Sequence, residues 1–283
     1  MADTVGMQDI RGLNVNNIVT GFSLQEFVIK PLLRNSSSSK WQERYFQETA
    51  ADLTASTPSV IKGVNRLSTF PVLEVSWTQK NSYQKKHAAE TIISWEDALS
   101  NDVPVIERSL LRIARAIRKS VDDDCYTNIV DYTTNANLSG AATFGWASAS
   151  ANPVKDVNTA IASIQGQNYN ITNAVLLINP TTFADLKNYL THTKGASIPS
   201  WSSQVAQNGK VMEFMGLNVL VSNSIETSGA VVLIPQECGN YLQLQALTTE
   251  TIPDPGIKYT IRSWEIGLVQ ITNPKTIYFI SGV

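Results

Sequence analysis

The alternation of apolar and polar residues predicts one long amphipathic helix in the middle of the chain. Between residues 105 and 130 the apolar positions recur at intervals of three and four, which is the spacing of one face of an α-helix. At about 1.5 Å per residue, such a helix would be about 40 Å long. The apolar positions are Ile106, Leu110, Ile113, Ile117, Val121 and Cys125.

Basic residues occupy the opposite side of this predicted helix. They lie within about 60° of one another when each residue turns the helix by about 100°. The simpler interpretation is a solvated face, and the alternative is a surface that meets DNA or acidic groups of a neighbouring molecule. The residues of this basic stripe are Arg108, Arg112, Arg115 and Lys119.

Three acidic residues follow the basic stripe, at positions 122–124. They lack the alternate spacing of oxygen ligands and the glycine of a calcium-binding loop. We therefore interpret Asp122, Asp123 and Asp124 as charge on the helix surface.

Two strand-like runs precede the long helix, at residues 70–78 and 88–95, and the polar segment 79–87 separates them. This arrangement predicts a β-hairpin. A two-stranded hairpin is only marginally stable in water, so a projecting one needs another surface, such as a neighbouring subunit. The residues of this hairpin that we assign to contacts between subunits are Trp77, Lys80, Lys85 and Lys86. Before it, residues 1–20 resemble an extended arm, and residues 25–54 are expected to be partly helical.

The second half of the chain begins with the pattern of an α/β unit. Asn152 and Asn179 each precede a proline, and asparagine before proline is typical of the start of a helix. An apolar strand at 174–178 lies between the two predicted helices. Further on, the Met215-Gly216 pair predicts the turn of a second hairpin.

The end of the chain returns to β structure. In a long run over residues 256–272, the apolar residues occupy odd-numbered positions before Ser263 and even-numbered positions after it. This change of phase predicts a β-bulge or a sharp twist near Ser263.

Composition and charge exclude several classes of protein. The chain has 283 residues, of which 43% are hydrophobic, and its net charge is −2. No overall charge therefore attracts it to nucleic acid or to a membrane. We expect no secretory signal at the N-terminus and no membrane span, because the apolar runs are far shorter than the roughly 20 residues that a span needs. Cys125 and Cys238 are expected to be buried, unpaired thiols.

Motifs typical of enzymes are absent from the sequence. It contains no glycine-rich phosphate-binding loop, no GxSxG motif of a nucleophilic serine, and no CxxC or HExxH motif that could bind zinc. His87 and His192, the only histidines, lie in polar stretches that predict solvated surface side chains. We therefore expect no catalytic residue, no cofactor and no bound metal.

Two segments carry a resemblance to a known family. ETIISWEDALSNDVPVIERSLLRIARAIRKSVDDD at 90–124 resembles an extended loop that runs into a long spine helix, and YTIRSWEIGLVQITNPKTIYFISG at 259–282 resembles closing strands. With INPTTFADL at 178–186 and MGLNVLVSNS at 215–224 between them, the order of elements resembles the tailed-virus major capsid proteins of the Hong Kong 97 fold. The resemblance covers nearly the whole chain.

The resemblance implies an α+β fold with an N-terminal arm, an extended β-hairpin loop, a peripheral domain with the spine helix, and an axial α/β domain. The implied boundaries are 1–45 for the arm, 46–98 for the extended loop, 99–150 for the peripheral domain and 151–245 for the axial domain. Residues 246–283 would then supply closing strands to both domains. Some relatives link a lysine of the extended loop covalently to an asparagine, but no position here identifies the partner, so we do not assign that chemistry.

The resemblance also implies the partners of the protein. Pentamers and hexamers of the chain would tile an icosahedral shell around double-stranded DNA, with non-specific contact to the DNA and no membrane. A separate scaffolding, portal or decoration protein would be a further partner, and assembly in the host cytoplasm would precede the virion. Two alternatives are an encapsulin-like compartment that loads an enzyme cargo, and an α/β enzyme whose site the motifs do not reveal. We favour the virus because residues 1–20 show no amphipathic face that could line a groove for cargo.

Overall fold

Two β-sheets and one long helix organise the described part of the chain. The structure, a computed structural model, describes residues 27–48, 64–70, 77–100, 105–131, 137–193 and 213–283, together with Val19 and Asn135. Helices and strands alternate irregularly, and the two larger sheets each mix parallel with antiparallel pairs. The predicted α+β class is therefore confirmed.

The first sheet has four strands in the order β1, β10, β11, β4. Its two longest strands, β10 and β11, are antiparallel neighbours, β4 pairs antiparallel with β11, and β1 pairs parallel with β10. The bounds are β1 (Arg34–Ser37), β4 (Lys85–Ser94), β10 (Gly239–Asp254) and β11 (Lys258–Ile271).

The predicted long helix is confirmed as α2 (Val105–Val130), which follows the short helix α1 (Trp95–Ser100). Helix α2 packs against β4 and β11, and its apolar stripe forms the centre of the core of this half of the molecule. The six stripe residues Ile106, Leu110, Ile113, Ile117, Val121 and Cys125 are all buried.

The second sheet has six strands in the order β5, β12, β9, β6, β8, β7. Helix α3 (Pro153–Gln165) packs against β12, β9 and β5, and helix α4 (Pro180–Asn188) follows β6. Both predicted helix starts are confirmed. The bounds are β5 (Leu138–Ala141), β6 (Val175–Ile178), β7 (Glu213–Phe214), β8 (Leu217–Val221), β9 (Gly229–Leu233) and β12 (Ile277–Ser281), with single helical turns at Tyr189–Thr193 and Pro274–Thr276.

The predicted turn at Met215-Gly216 joins β7 to β8. Both residues have positive φ, 54° and 79°, as a two-residue hairpin turn of the type I′ class requires. Glycine adopts this conformation without strain, which explains its place at the second position.

The predicted hairpin between residues 70–78 and 88–95 is wrong where the structure describes it, and residues 71–76 of the first run lie outside the described residues. The polar segment between these runs is itself extended: β3 (Trp77–Tyr83) pairs antiparallel with β2 (Gln42–Glu48) in a separate two-stranded sheet, here called the ribbon. The chain then turns at Gln84 and continues as β4, which pairs with β11 and not with β3. The ribbon escaped detection because most of it lies outside the core, so burial does not impose an apolar period on its residues.

The β-bulge or sharp twist predicted near Ser263 of β11 is also wrong in its location. The odd-numbered positions of β11 face the core throughout, including Ile261, Ser263 and Glu265. Two register shifts do occur, but on the partner strand β10, between Gln243 and Thr248. The apolar pattern misled because the buried face of β11 is polar at two successive inward positions.

Residues 27–48 contain strands and one 3-10 turn (Lys30–Leu32) where a partly helical segment was expected. Asp122 explains this conformation, since its carboxylate accepts hydrogen bonds from the main-chain nitrogens of Val28 (3.0 Å) and Lys30 (3.1 Å). Asp122 is 2% exposed, so its assignment to surface charge is wrong. Burial raises the pKa of this carboxyl group, and the main-chain N–H donors oppose that shift.

Candidate assembly interface

The ribbon has two chemically different faces. Residues directly opposite each other in an antiparallel pair lie on the same face, so the register places Tyr45 beside Lys80 and Glu43 beside Ser82. Apart from the exposed Thr78, this face is partly or fully buried, and it contacts the rest of the same subunit. Apart from Tyr45, the inward face of the ribbon consists of polar residues.

The outward face of the ribbon carries aromatic residues. Phe46, Trp77 and Tyr83 are 55%, 56% and 59% exposed, and we call these three residues the aromatic strip. The rings of Phe46 and Trp77 meet edge to face with centroids 6.1 Å apart. Half-buried sheets normally turn their apolar face inward, so this orientation is reversed. Clustered exposed aromatic side chains are typical of surfaces that bind another protein.

Asn135 connects the inward face of the ribbon to the end of α2. Its Oδ1 accepts hydrogen bonds from Lys80 Nζ (3.0 Å) and Gln47 Nε2 (3.4 Å), and its Nδ2 donates to the Asn128 carbonyl oxygen (2.9 Å). Gln47 Nε2 also donates to the carbonyl oxygen of Ile271, at 3.1 Å. Burial lowers the pKa of Lys80, and the nearby Asp131 carboxylate opposes that shift. Lys80 is therefore engaged within its own subunit.

Lys85 and Lys86 belong to β4 and not to the ribbon, which corrects their assignment to the same hairpin as Trp77. Lys85 forms an ion pair with Asp124 of α2. The Nζ atom of Lys86 lies 5.4 Å from the centre of the Trp264 ring, within the range of a cation–π contact. Both lysines thus have partners in the four-stranded sheet or the long helix.

His87 lies between β4 and α2, and its prediction as a surface residue is wrong. The side chain is 8% exposed, with Nδ1 2.9 Å from Ser120 Oγ. The neighbouring lysines made the segment resemble a loop, but the alternation of β4 turns residue 87 towards the helix. Burial lowers the pKa of His87, while the carboxylates of Asp124 and Glu265 act in the opposite direction. His192 is exposed, as expected.

The basic stripe of α2 faces solvent. Its four residues are all exposed, on the side of the helix opposite to the buried apolar stripe. Lys119 Nζ lies 2.8 Å from Asp123 Oδ2, four residues further along the helix. Neither interpretation of the stripe, as a solvated face or as a contact for DNA or a neighbour, is tested by this placement.

Within the described residues, no three side chains of histidine, cysteine, aspartate or glutamate are grouped closely enough to hold a metal ion. None of the helices in the described ranges combines the length and the apolar character needed to cross a membrane. Cys125 and Cys238 are buried and free, as predicted.

Residues 78–280 match the model of a family described as phage capsid protein. The chain belongs to the phage capsid protein family. It is a major capsid protein, and its role is structural and not enzymatic. No curated protein matches this capsid protein in sequence.

Solved structures confirm the Hong Kong 97 fold. The capsid protein aligns with a structure from Mycobacterium phage Che8 at a TM-score of 0.66 and 14% identity, covering 90% of this chain and 91% of that one. It aligns with the capsid of cyanophage P-SCSP1u at a TM-score of 0.66 and 12% identity, over 100% and 93% of the two chains. The holo-SrpI encapsulin complex of Synechococcus elongatus aligns at a TM-score of 0.55 and 10% identity, over 100% and 92%.

These neighbours are subunits of assembled shells, and the capsid protein accordingly associates with copies of itself and is located in the virion capsid. Sequence reasoning did not identify Asn135 or the buried polar residues Lys30, Tyr241 and Glu265 near the four-stranded sheet. A signal for Glu265 did exist, because a charged residue inside an otherwise apolar strand needs a buried partner.

Proposed function

We propose that the capsid protein assembles in the host cytoplasm, as pentamers and hexamers, into an icosahedral shell that encloses double-stranded DNA. The observation that carries this proposal is the outward-facing aromatic strip of the ribbon. A subunit that works alone gains nothing from exposing three aromatic side chains, whereas a subunit in a lattice covers them with its neighbour.

The energetics favour repeated weak contacts. Covering one large apolar side chain contributes about 1.5–3 kcal/mol. Each copy in a closed shell offers the same strip, so modest contacts add up over the particle. The strip therefore contributes to association at every contact between subunits, without a single very strong interface.

On this proposal, the four-stranded sheet and α2 form the peripheral domain and the six-stranded sheet forms the axial domain. The boundaries at 45, 98, 150 and 245 remain predictions. A separate scaffolding, portal or decoration protein would join the shell through other surfaces.

The basic stripe of α2 is the proposed contact with DNA. Arginine and lysine side chains bind phosphate groups without reading the base sequence, as a packaged genome requires. Because the net charge of the chain is −2, a contact of this kind depends on a local cluster such as the stripe.

Electron microscopy of the purified protein tests the shell. The parent chain should form closed particles of uniform diameter, and a reconstruction should contain pentamers and hexamers. A Phe46→Ser, Trp77→Ser double variant should fold normally and form no closed particles at the same concentration. The matched control is Gln79→Ser, Asn81→Ser, which changes two exposed polar residues of the same face.

Particles of ordinary yield and diameter from the Phe46, Trp77 variant would contradict the proposal, as would a parent chain that stays monomeric. Because an encapsulin has the same fold, the fold does not distinguish a viral capsid from an encapsulin-like compartment, and the contents of the particles do. Nuclease-protected DNA supports a viral capsid. A protein cargo without DNA would support an encapsulin-like compartment.

A further inference from the structure

The ribbon is held to its own subunit at both ends. At one end, β3 continues through Gln84 into β4, and the main-chain nitrogen of Gln84 donates to the carbonyl oxygen of Trp41 (3.0 Å). At the other end, where Glu48 leaves β2 and Trp77 enters β3, the attachments are hydrogen bonds. The Glu48 nitrogen donates to the Thr272 carbonyl oxygen (3.0 Å), and Asn135 holds the two inward side chains described above.

Asn135 is the central member of this second attachment. It is 6% exposed and contacts both strands of the ribbon and the last turns of α2. Three of the four aromatic residues of the ribbon point outward, and only Tyr45 lies on its inward face, so apolar packing against its own subunit contributes little to its orientation. Hydrogen bonds depend on angle as well as distance, and a buried polar network specifies one arrangement of its members.

We propose that Asn135 is a positioning residue that fixes the angle between the ribbon and α2, and through that angle the curvature of the shell. The inference deepens the proposed function and rests on it. The seven-residue strand β3 is about 20 Å long at about 3.3 Å per residue. A swing of about 10° about its Tyr83 end would therefore move Trp77 by about 3 Å, enough to misalign the aromatic strip with a neighbour.

Asn137 provides a matched control. It is also a buried asparagine near the end of α2. Its Nδ2 donates to the carbonyl oxygen of Ile129, the residue that follows Asn128, to which Asn135 donates. Among its hydrogen bonds within the described residues, none reaches the ribbon. The variants Asn135→Leu and Asn137→Leu thus remove a similar bond to the helix end, but only the first also removes hydrogen bonds to the ribbon.

The test measures the angle directly. Spin labels are attached at Gln79→Cys on the ribbon and Ala116→Cys on α2, both exposed positions, while the native Cys125 and Cys238 are fully buried. Labelled chains are diluted into unlabelled chains of the same variant, and the distribution of label distances is recorded. Unlabelled chains of each variant are imaged separately for particle diameter.

We expect Asn135→Leu to broaden the distance distribution and to give particles of altered or mixed diameter, while Asn137→Leu changes neither. Asn135→Asp keeps the acceptor oxygens for Lys80 and Gln47, so it should restore most of the narrow distribution. If Asn135→Leu does not fold, the pair Gln47→Leu, Lys80→Met, which leaves Asn135 in place, should give the same broadening.

A distribution as narrow as that of the parent in Asn135→Leu would overturn the positioning role, whatever the particles look like. A broad distribution with particles of parental diameter would overturn the link to curvature. Failure of the parent chain itself to form particles would instead refute the proposed function, and the distance measurement would still decide the role of Asn135.

Discussion

Lys30 and Glu265 form a buried ion pair that joins the segment before β1 to the middle of β11. Their side chains are 11% and 1% exposed. Glu265 Oε1 also accepts hydrogen bonds from Tyr241 Oη (3.0 Å) and Gln243 Nε2 (3.1 Å), and Lys30 Nζ lies 4.5 Å from the centre of the Tyr241 ring. The carboxylate and the ammonium group thus both have partners in this largely buried site.

Removal of one partner of this pair should be strongly destabilising. Lys30→Met leaves the Glu265 carboxylate buried without its cation, which typically costs about 3–5 kcal/mol. The double variant Lys30→Met, Glu265→Leu should cost less than Lys30→Met alone, because no uncompensated charge remains. Urea unfolding of particles dissociated into subunits measures these differences.

The exposed pair Lys119 and Asp123 is the control for this comparison, and Lys119→Met should change the unfolding free energy by at most about 1 kcal/mol. Equal losses from Lys30→Met and Lys119→Met would show that the buried pair does not contribute in the way its burial implies.

His87 should make the stability of the subunit depend on pH. Burial lowers the pKa of His87 in the folded chain below its ordinary value of 6.5. As the pH falls below 6.5, the unfolded chain takes up a proton that the folded chain does not, so the free energy of unfolding falls until the pH reaches the folded pKa. His87→Gln should remove this part of the dependence. Unfolding curves recorded from about pH 7 to about pH 5, a range that spans the ordinary histidine pKa, check the prediction.

A steeper loss of stability with acid in His87→Gln than in the parent would contradict this account. The exposed His192 supplies the control, and His192→Gln should retain the parental dependence.

The sequence was sufficient to predict elements whose periodicity is imposed by a core. Helix α2 packs one face against β4 and β11, so its apolar residues must repeat every three or four positions, and its bounds follow from that repeat. The starts of α3 and α4 were predictable for a local reason, because the asparagine cap and the proline act within one turn.

The elements that were missed depend on contacts far apart in sequence. The partner of β3 is β2, which lies on the other side of residues 49–76, and no local pattern indicates that pairing. His87 resembled a surface residue because its lysine neighbours dominate the local composition, although strand alternation buries it. Asn135 was not identified because a single polar residue in a polar segment carries no signal before its partners Gln47 and Lys80 are placed.

The two helix caps should differ in their contribution to stability. Asn179 Oδ1 accepts from the Thr181 nitrogen (3.0 Å), and its Nδ2 also donates to the Ile225 carbonyl oxygen (2.6 Å) in a buried setting. Within the described residues, Asn152 Oδ1 accepts the cap bond from the Lys155 nitrogen (3.2 Å), and its side chain donates to no buried carbonyl oxygen. We expect Asn179→Ala to cost about 2 kcal/mol and Asn152→Ala about 1 kcal/mol, because only the first leaves a buried carbonyl oxygen without its donor. Urea unfolding measures both, and a larger loss from Asn152→Ala would contradict the assignment.

Charge reversal in the basic stripe should affect the contents of the particle more than the subunit. Arg112 is exposed on α2, so Arg112→Glu should change the unfolding free energy by no more than about 0.5 kcal/mol. If the stripe faces packaged DNA, the same change replaces an attraction to phosphate by a repulsion, and the amount of nuclease-protected DNA per particle should fall. The control is Lys155→Glu on α3, which has the same change of charge at another exposed position. The loss of DNA should grow at lower salt, where electrostatic terms are least screened. Equal DNA content in the two variants at every salt concentration would leave the stripe as a solvated face of the helix.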